Sequence, residues 1–355
     1  MRTLGAAGAI VCAALGSSAA AQQVQLQPAQ TLTFPSDTDS NSPALWSNRQ
    51  LVLYNSTGIG PVRSTGSGQS HLGDLEWVVL GPSTHVPYWI EATWTDSDGN
   101  IFAWYHHEPR GICGALPLTA PQIGALVSRD GGRSFSDLGI VLESGYPVDC
   151  SAQNGYFAGG HGDFTVIQGR NLDYLYFLFS NYSGPLEAQG VAVARMPLDR
   201  RYNPFGAVEK YYEGDWLEPG VGGRVTPIFP ATVAWAAANA DSFWGPSVHW
   251  NTFLNKFVML LNRSCCSPGW PQEGVYVSFN GTLSDPQGWT APVKILDDAG
   301  WYPQVLGLGP GRTDKLAGRV ARLYVYGVSS WEIVFEKEQT DSVAPANEPD
   351  TQSAN

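Results

Sequence analysis

Trp89-Ile-Glu-Ala-Thr-Trp94, then Asp96-Ser-Asp-Gly99, then Ile101-Phe-Ala-Trp-Tyr105 is the stretch that decides the fold. β-Branched and aromatic residues favour strands, and the Asp-Ser-Asp-Gly tetrapeptide between the two runs is a turn, so the segment reads as a β-hairpin. The same grammar recurs in both directions along the chain. Upstream, Asp39-Ser-Asn-Ser-Pro-Ala-Leu-Trp46 turns at Ser47-Asn48 into Leu51-Val-Leu-Tyr54. Downstream, His161-Gly-Asp-Phe-Thr-Val-Ile167 turns near Gly169 into Tyr174-Leu-Tyr-Phe-Leu-Phe179. Trp244-Gly-Pro-Ser-Val-His-Trp250 turns at Asn251 to Asn255 into Lys256-Phe-Val-Met-Leu-Leu261. Trp301-Tyr-Pro-Gln-Val-Leu-Gly307 passes through a longer Gly-rich loop into Ala321-Arg-Leu-Tyr-Val-Tyr326.

Further strand-like runs follow most pairs, such as Ile123–Ser128, Gly139–Leu142, Gly190–Ala194, Ala207–Lys210, Gly274–Ser278 and Pro292–Leu296. Four strands per unit, repeating every roughly 50–85 residues, predict the blades of an all-β, five-bladed β-propeller with variable loops. Radial closure leaves few open sheet edges. The last unit has no clear strand beyond Trp331–Phe335, so the stretch around Thr31–Phe34 is expected to supply its outer strand. A β-sandwich or jelly roll is the competing architecture, and it does not require five similar hairpins. One Ala-rich stretch, Ala231 to Ala240, has room for a helical turn in a loop.

The ends read differently. Arg2, an apolar run from Leu4 to about Leu15 and Ala19-Ala20-Ala21 form the pattern of a signal peptide over residues 1–21. The run is short for a membrane span, which needs about 20 apolar residues. The expectation is a single propeller domain over 22–338, secreted or periplasmic, with a disordered tail over 339–355 that is polar and without aromatics. Removing Arg2 with the signal takes the formal charge from −12 to −13. So acidic a chain is poorly suited to nucleic acid, whose phosphates demand Lys and Arg, while a neutral carbohydrate partner fits. The chain is expected to be a monomer with no membrane span. Five cysteines leave four after Cys12 departs. In an exported protein an even number favours disulfides over free thiols. Of three pairings, Cys113–Cys150 with a vicinal Cys265–Cys266 bridge is the expected one.

Asp39 before the first inner strand, Trp244-Gly-Pro-Ser-Val, Gly274-Val-Tyr-Val-Ser-Phe with the following Ser284-Asp-Pro-Gln-Gly-Trp-Thr, and Gly300-Trp-Tyr-Pro-Gln resemble the five-bladed superfamily that contains glycoside hydrolase families 43, 62, 32, 68 and 117. The resemblance covers most of the chain after residue 21. Separately, Ser128-Arg-Asp-Gly-Gly-Arg-Ser-Phe135 resembles the Asp-box turn of sialidases, which gives Asp130 a structural role.

The resemblance implies that inner strands start, and second strands end, at a sugar-binding funnel. It implies a secreted glycoside hydrolase, with Asp39 as base or nucleophile, Glu91 as auxiliary carboxylate and Asp163 as acid. Those families usually carry Asp at the second position and Glu at the third, so Glu108 is an alternative acid. A carboxylate at Glu91, between apolar neighbours, is costly without a partner. His106, His107, His161, His249 and Gln304 are candidate substrate contacts, as are the rim aromatics Trp89, Trp244, Trp301 and Tyr302. Asp96 and Asp98 belong to the opposite face. Two other functions stay open: a non-catalytic glycan-binding propeller, and a polysaccharide lyase using the His106-His107-Glu108 cluster. No familiar zinc spacing is present. No cofactor is required, though the resemblance allows a central structural calcium beside His249.

Overall fold

The computed structural model describes residues 24–297 and 299–337, so the signal-peptide and tail segments lie outside the described residues. Five antiparallel sheets form a five-bladed β-propeller. Blade 1 runs outward from Ala44–Ser47 through Gln50–Thr57 and Gly60–Gly66 to Leu72–Trp77. Blade 2 comprises Tyr88–Thr95, Ile101–His107, Gln122–Ser128 and Ser134–Leu142, with Val79–Leu80 parallel to its outer edge. Blade 3 begins with His161–Gln168, Tyr174–Asn181 and Gly190–Pro197, and continues through Glu209–Tyr212 and Asp215–Pro219. Blade 4 comprises Ser242–Asn251, Lys256–Ser264, Gln272–Asn280 and Val293–Asp297. Blade 5 is built from Gln304–Gly307, Val320–Val325 and Val328–Phe335, and its outermost strand is Val24–Thr33. That strand starts before the expected stretch and pairs Val24 with Phe335 and Thr33 with Val328.

Inner strands are buried on both faces because each faces a neighbouring blade on either side. Phe164 and Val166 pack with Ala92 and Trp104 of blade 2, whereas Ile167 packs with Val248 and Trp250 of blade 4. Each such fully buried side chain contributes about 1.5–3 kcal/mol. Further cores join blades 1 and 2 through Tyr54 and Ile90, and blades 4 and 5 through Val258 and Val305. Phe34, Leu51, Leu306 and Tyr324 join blade 5 to blade 1 and complete the ring.

The hairpin turns define one face. Asp96 Oδ1 accepts the amides of Asp98 and Asn100 at 3.0 and 2.8 Å, and Gly99 takes φ +81° to close the turn. Asp130 likewise accepts the amides of Arg133 and Ser134, at 3.1 and 3.0 Å. The Gly-rich loop of blade 5 folds inward on this face, where Leu316–Ala317 pairs parallel to Trp250 and Asn251 and the Asp314 carboxylate accepts the Ala44 amide at 2.9 Å. The Ala231–Ala240 stretch contains bends and turns but no helix.

Loops on the other face are knitted together. Cys113–Cys150 ties the segment after Ile101–His107 to the one before His161–Gln168, and Cys265 is bridged to Cys266. Asn154 Nδ2 donates to the carbonyls of Phe157 and Trp235 at 2.8 and 2.6 Å, anchoring this second segment to the lead-in of blade 4. No helix among the described residues is long and apolar enough to cross a membrane.

Candidate active site

Two bulges create the site. In blade 2 the pairing register shifts between Ile90 and Ala92, and in blade 3 between Gly162 and Phe164. The unpaired residues are Glu91 and Asp163. A bulge re-aims a side chain that would otherwise follow the pleat. At Asp163 the backbone reaches φ +41°, a conformation that non-glycine residues rarely adopt.

Glu91 is completely enclosed and held from two sides. Its Oε2 accepts the Phe164 amide at 2.8 Å, and its Oε1 is 3.2 Å from His106 Nδ1. His106 Nε2 is 3.3 Å from Glu108 Oε1. The Asp163 amide nitrogen is also 3.2 Å from Nδ1, but a protonated ring pairs with the carboxylate. Burial disfavours the imidazolium, yet Glu108 and Glu91, with the charge of Asp163, outweigh it and hold His106 well above the usual histidine range. The ring thereby compensates the buried carboxylate on which it rests.

Asp163 is buried, and its Oδ2 accepts the Tyr182 hydroxyl. Burial, together with the charge of Glu91, pushes its carboxyl up to about 7, against the lowering effects of His106 and Tyr182. Asp39 sits in the loop before blade 1, fixed by its amide to the Ser56 carbonyl at 2.7 Å. Nearby, Asn41 crosses the axis and donates to the carbonyls of Phe164 and Pro246 at 2.9 and 3.2 Å. Burial and the nearby Glu108 raise the Asp39 carboxyl to about 6.

Asp39, Glu108 and Asp163 line one cavity of about 210 Å³, with His106 and the rings of Trp89, Trp244, Trp301 and Tyr302. Glu91 lies beneath it. Tyr156, Phe157 and Trp270 also line the cavity, and the sequence reading did not single them out. They stand on loops without strand periodicity. Tyr182, just past the end of Tyr174–Asn181, was findable by the rule that second strands end at the funnel. A larger hollow of about 340 Å³ by the opposite-face turns, lined by Trp46, Gln69 and Arg312 among others, has no such convergence of carboxylates.

Four candidate contacts do not line this cavity. Strand alternation turns His107 away from its neighbour, and its Nδ1 is 2.8 Å from the Pro87 carbonyl oxygen. His161 packs on Phe179, and burial together with the Lys210 charge holds its ring well below the usual range. The blade 4 inner strand runs Ser242–Asn251, so His249, expected near a strand start, lies two residues from its far end, against Phe335. Gln304 instead stitches blade 5 to blade 1: its Oε1 accepts the Ser42 amide at 2.6 Å and its Nε2 donates to the Ser42 carbonyl at 2.8 Å.

The donor atoms of Glu91, His106 and Asp163 lie within 4.8 Å of one another. This set does not fit calcium, which requires six to eight oxygens: one donor is an imidazole held in its protonated form, and the carboxylates already accept an amide and a phenol. Around His249, burial and the positive charge of Lys315 pull the ring down to about 3.

No family model and no curated protein sequence matches the chain. Solved structures do. A thermostable family-43 glycoside hydrolase is 14% identical, with 91% of this chain and 100% of that chain covered and a TM-score of 0.52. An endo-arabinase from Bacteroides thetaiotaomicron is 12% identical, with 86% of this chain and 96% of that chain covered and a TM-score of 0.51. The likeness is one of fold, and it places the chain among five-bladed propellers of the kind found in glycoside hydrolases.

Proposed function

We propose that the protein is an exported glycoside hydrolase acting on an oligo- or polysaccharide. The observation that carries this reading is the convergence of Asp39 and Asp163 on one aromatic-walled cavity, with carboxyls titrating at about 6 and about 7. Glycoside cleavage needs one ionised and one protonated carboxyl group across the scissile bond. Asp39 is the base or nucleophile at the anomeric carbon. Asp163 is the acid: as the C–O bond breaks, its proton passes to the leaving oxygen, and water then gives its hydroxyl to the sugar and its proton to Asp39 acting as base, or back to Asp163 where Asp39 acts as nucleophile. Glu91 and His106 position this pair. Two disulfides support export, and the reading requires no cofactor.

The test is a screen of neutral plant, algal and bacterial glycans with product analysis, repeated with Asp39→Asn. Release of reducing sugar by the wild type and its loss in a folded variant is the expected result. Saturable glycan binding with no product after prolonged incubation would instead establish a non-catalytic binding propeller. An unsaturated, ultraviolet-absorbing product would establish a lyase.

A second assignment of the acid has a specific observation behind it. Glu108 lines both the carboxylate cavity and a neighbouring one of about 360 Å³, so it stands where the scissile bond would cross. An aryl glycoside with a good leaving group needs little acid assistance. Of Asp163→Asn and Glu108→Gln, the variant that keeps activity on such a substrate while losing the natural one marks the acid.

A further inference from the structure

The geometry points to a chain-end site: the cavity accepts one uncharged terminal sugar residue, and the rest of the glycan leaves over blade 2. This rests on the hydrolase reading and adds to it the mode of attack and the charge of the residue removed.

The first argument is closure on one side. Tyr156, Trp270 and Trp301 come from three separate loops, leading into blade 3, within blade 4 and into blade 5, and their rings meet at 4.7 Å for Tyr156–Trp270 and 5.8 Å for Tyr156–Trp301. Behind them Trp244 lies 5.4 Å from Trp270 and 5.6 Å from Trp301. This continuous aromatic arc stands across the blade 3, 4 and 5 side of the cavity. An enzyme that cuts within a chain needs a groove leading away from the carboxylates in both directions.

The second is opening on the other side. The neighbouring 360 Å³ cavity shares Trp89 and Glu108 with the first and extends over the Pro109–Thr119 loop of blade 2. A hollow of about 470 Å³ on the blade 3 side meets the first at Phe157 and shares none of its carboxylates, whereas the blade 2 hollow shares Glu108 itself, so glycan extends from the carboxylates over blade 2.

Size and charge define the residue held. A cavity of about 210 Å³ is smaller than the roughly 300–1,000 Å³ that encloses a drug-sized ligand such as a disaccharide. It fits one ring. Its lining includes Asp39, Glu108 and Asp163 and no Lys or Arg. A uronate or sulfated sugar would meet like charge at Asp39 and Glu108, offset by His106 alone, whereas the hydroxyls of a neutral sugar find acceptors, and its apolar face finds tryptophan.

The test follows early products from neutral galactan, arabinan and xylan oligosaccharides of defined length, from their polymers, and from matched oligosaccharides ended by a uronate. The expected result is monosaccharide alone, each oligosaccharide shortening by one residue at a time, with polymer viscosity nearly constant. Early internal fragments with a rapid fall in viscosity would overturn the chain-end reading while leaving the hydrolase intact. Preferred release of a terminal uronate would overturn the charge assignment. Absence of product from every substrate, with the protein folded, would remove the hydrolase reading and this inference with it. Tyr156→Ala, at an exposed rim position, is the second arm: opening the arc should raise the ratio of oligosaccharide to monosaccharide product about tenfold, and an unchanged ratio would show that the arc does not set the mode of attack.

Discussion

The hydroxyl of Tyr182 donates to Oδ2 of Asp163, joining the end of the second strand of blade 3 to the bulge in its first. Burial raises this carboxyl, and the phenol opposes the rise by stabilising the carboxylate. Tyr182→Phe removes a hydrogen bond to a charged acceptor, typically about 1.5–3 kcal/mol. Asp163 should then hold its proton to higher pH, and the alkaline limb of kcat/KM should move up by about one to two units. An unmoved limb would count against Asp163 as the acid and favour Glu108.

The unmodified protein should have a narrow bell-shaped pH dependence of glycan cleavage. Under the proposed assignment Asp39 acts ionised and Asp163 protonated, so kcat/KM should rise through about 6 and fall through about 7. These groups interact, and the two limbs belong to the pair. Initial rates across pH, at substrate concentrations well below KM, check the prediction.

Stability should show the same displacement. The folded Asp163 carboxyl titrates at about 7, against 3.8 for an unperturbed one. The folded state therefore binds this proton more tightly than the unfolded state does. The stability so gained is full below about pH 4 and is lost as pH rises through about 7. Asparagine can still accept from Tyr182 but never ionises. Asp163→Asn should match the wild type near pH 4 and exceed it near pH 8 by as much as about 4 kcal/mol, measured by chemical denaturation at both values.

The Cys113–Cys150 bridge closes a loop with a sequence separation of 37 and braces the segment that carries Tyr156 and Phe157. Replacing both cysteines with serine should cost about 2–4 kcal/mol. It should also raise KM more than it lowers kcat, because the aromatic wall loosens while Asp39 and Asp163 keep their own supports. Thermal unfolding and steady-state kinetics on the double variant separate the two effects.

The propeller was legible in the sequence because each blade repeats one local event, a strand, a Gly/Asn/Asp turn and an aromatic strand. That periodicity places Asp39, Glu91 and Asp163 at strand starts, and in three dimensions they gather around one hollow. What gathers them was hidden. The bulges at Glu91 and Asp163 leave no trace in composition, and a one-residue slip decides which way a side chain points. His249 shows a plainer failure: it stands two residues before the end of Ser242–Asn251, so the turn at Asn251 that the sequence marks already sends it to the far face, away from the funnel. His107 and His106 are neighbours in sequence, yet the pleat sends only one of them to the carboxylates. Of the arc, Trp301 was read as a rim aromatic, while Tyr156 and Trp270 were illegible for a different reason. Loops owe their shape to the disulfide and hydrogen bonds that fix them, and those partners are distant in the chain.

Val24–Thr33 completes blade 5, and Thr31 meets Ser330 across a separation of 299 positions. In order of synthesis, the strand that appears first is matched with one that appears among the last. The circle cannot close on a growing chain, and until the whole polypeptide is available blade 5 lacks its rim and blade 1 lacks a neighbour. Such distant pairing slows folding. The interval it creates, between the making of the chain and the locking of the ring, is compatible with the export proposed above.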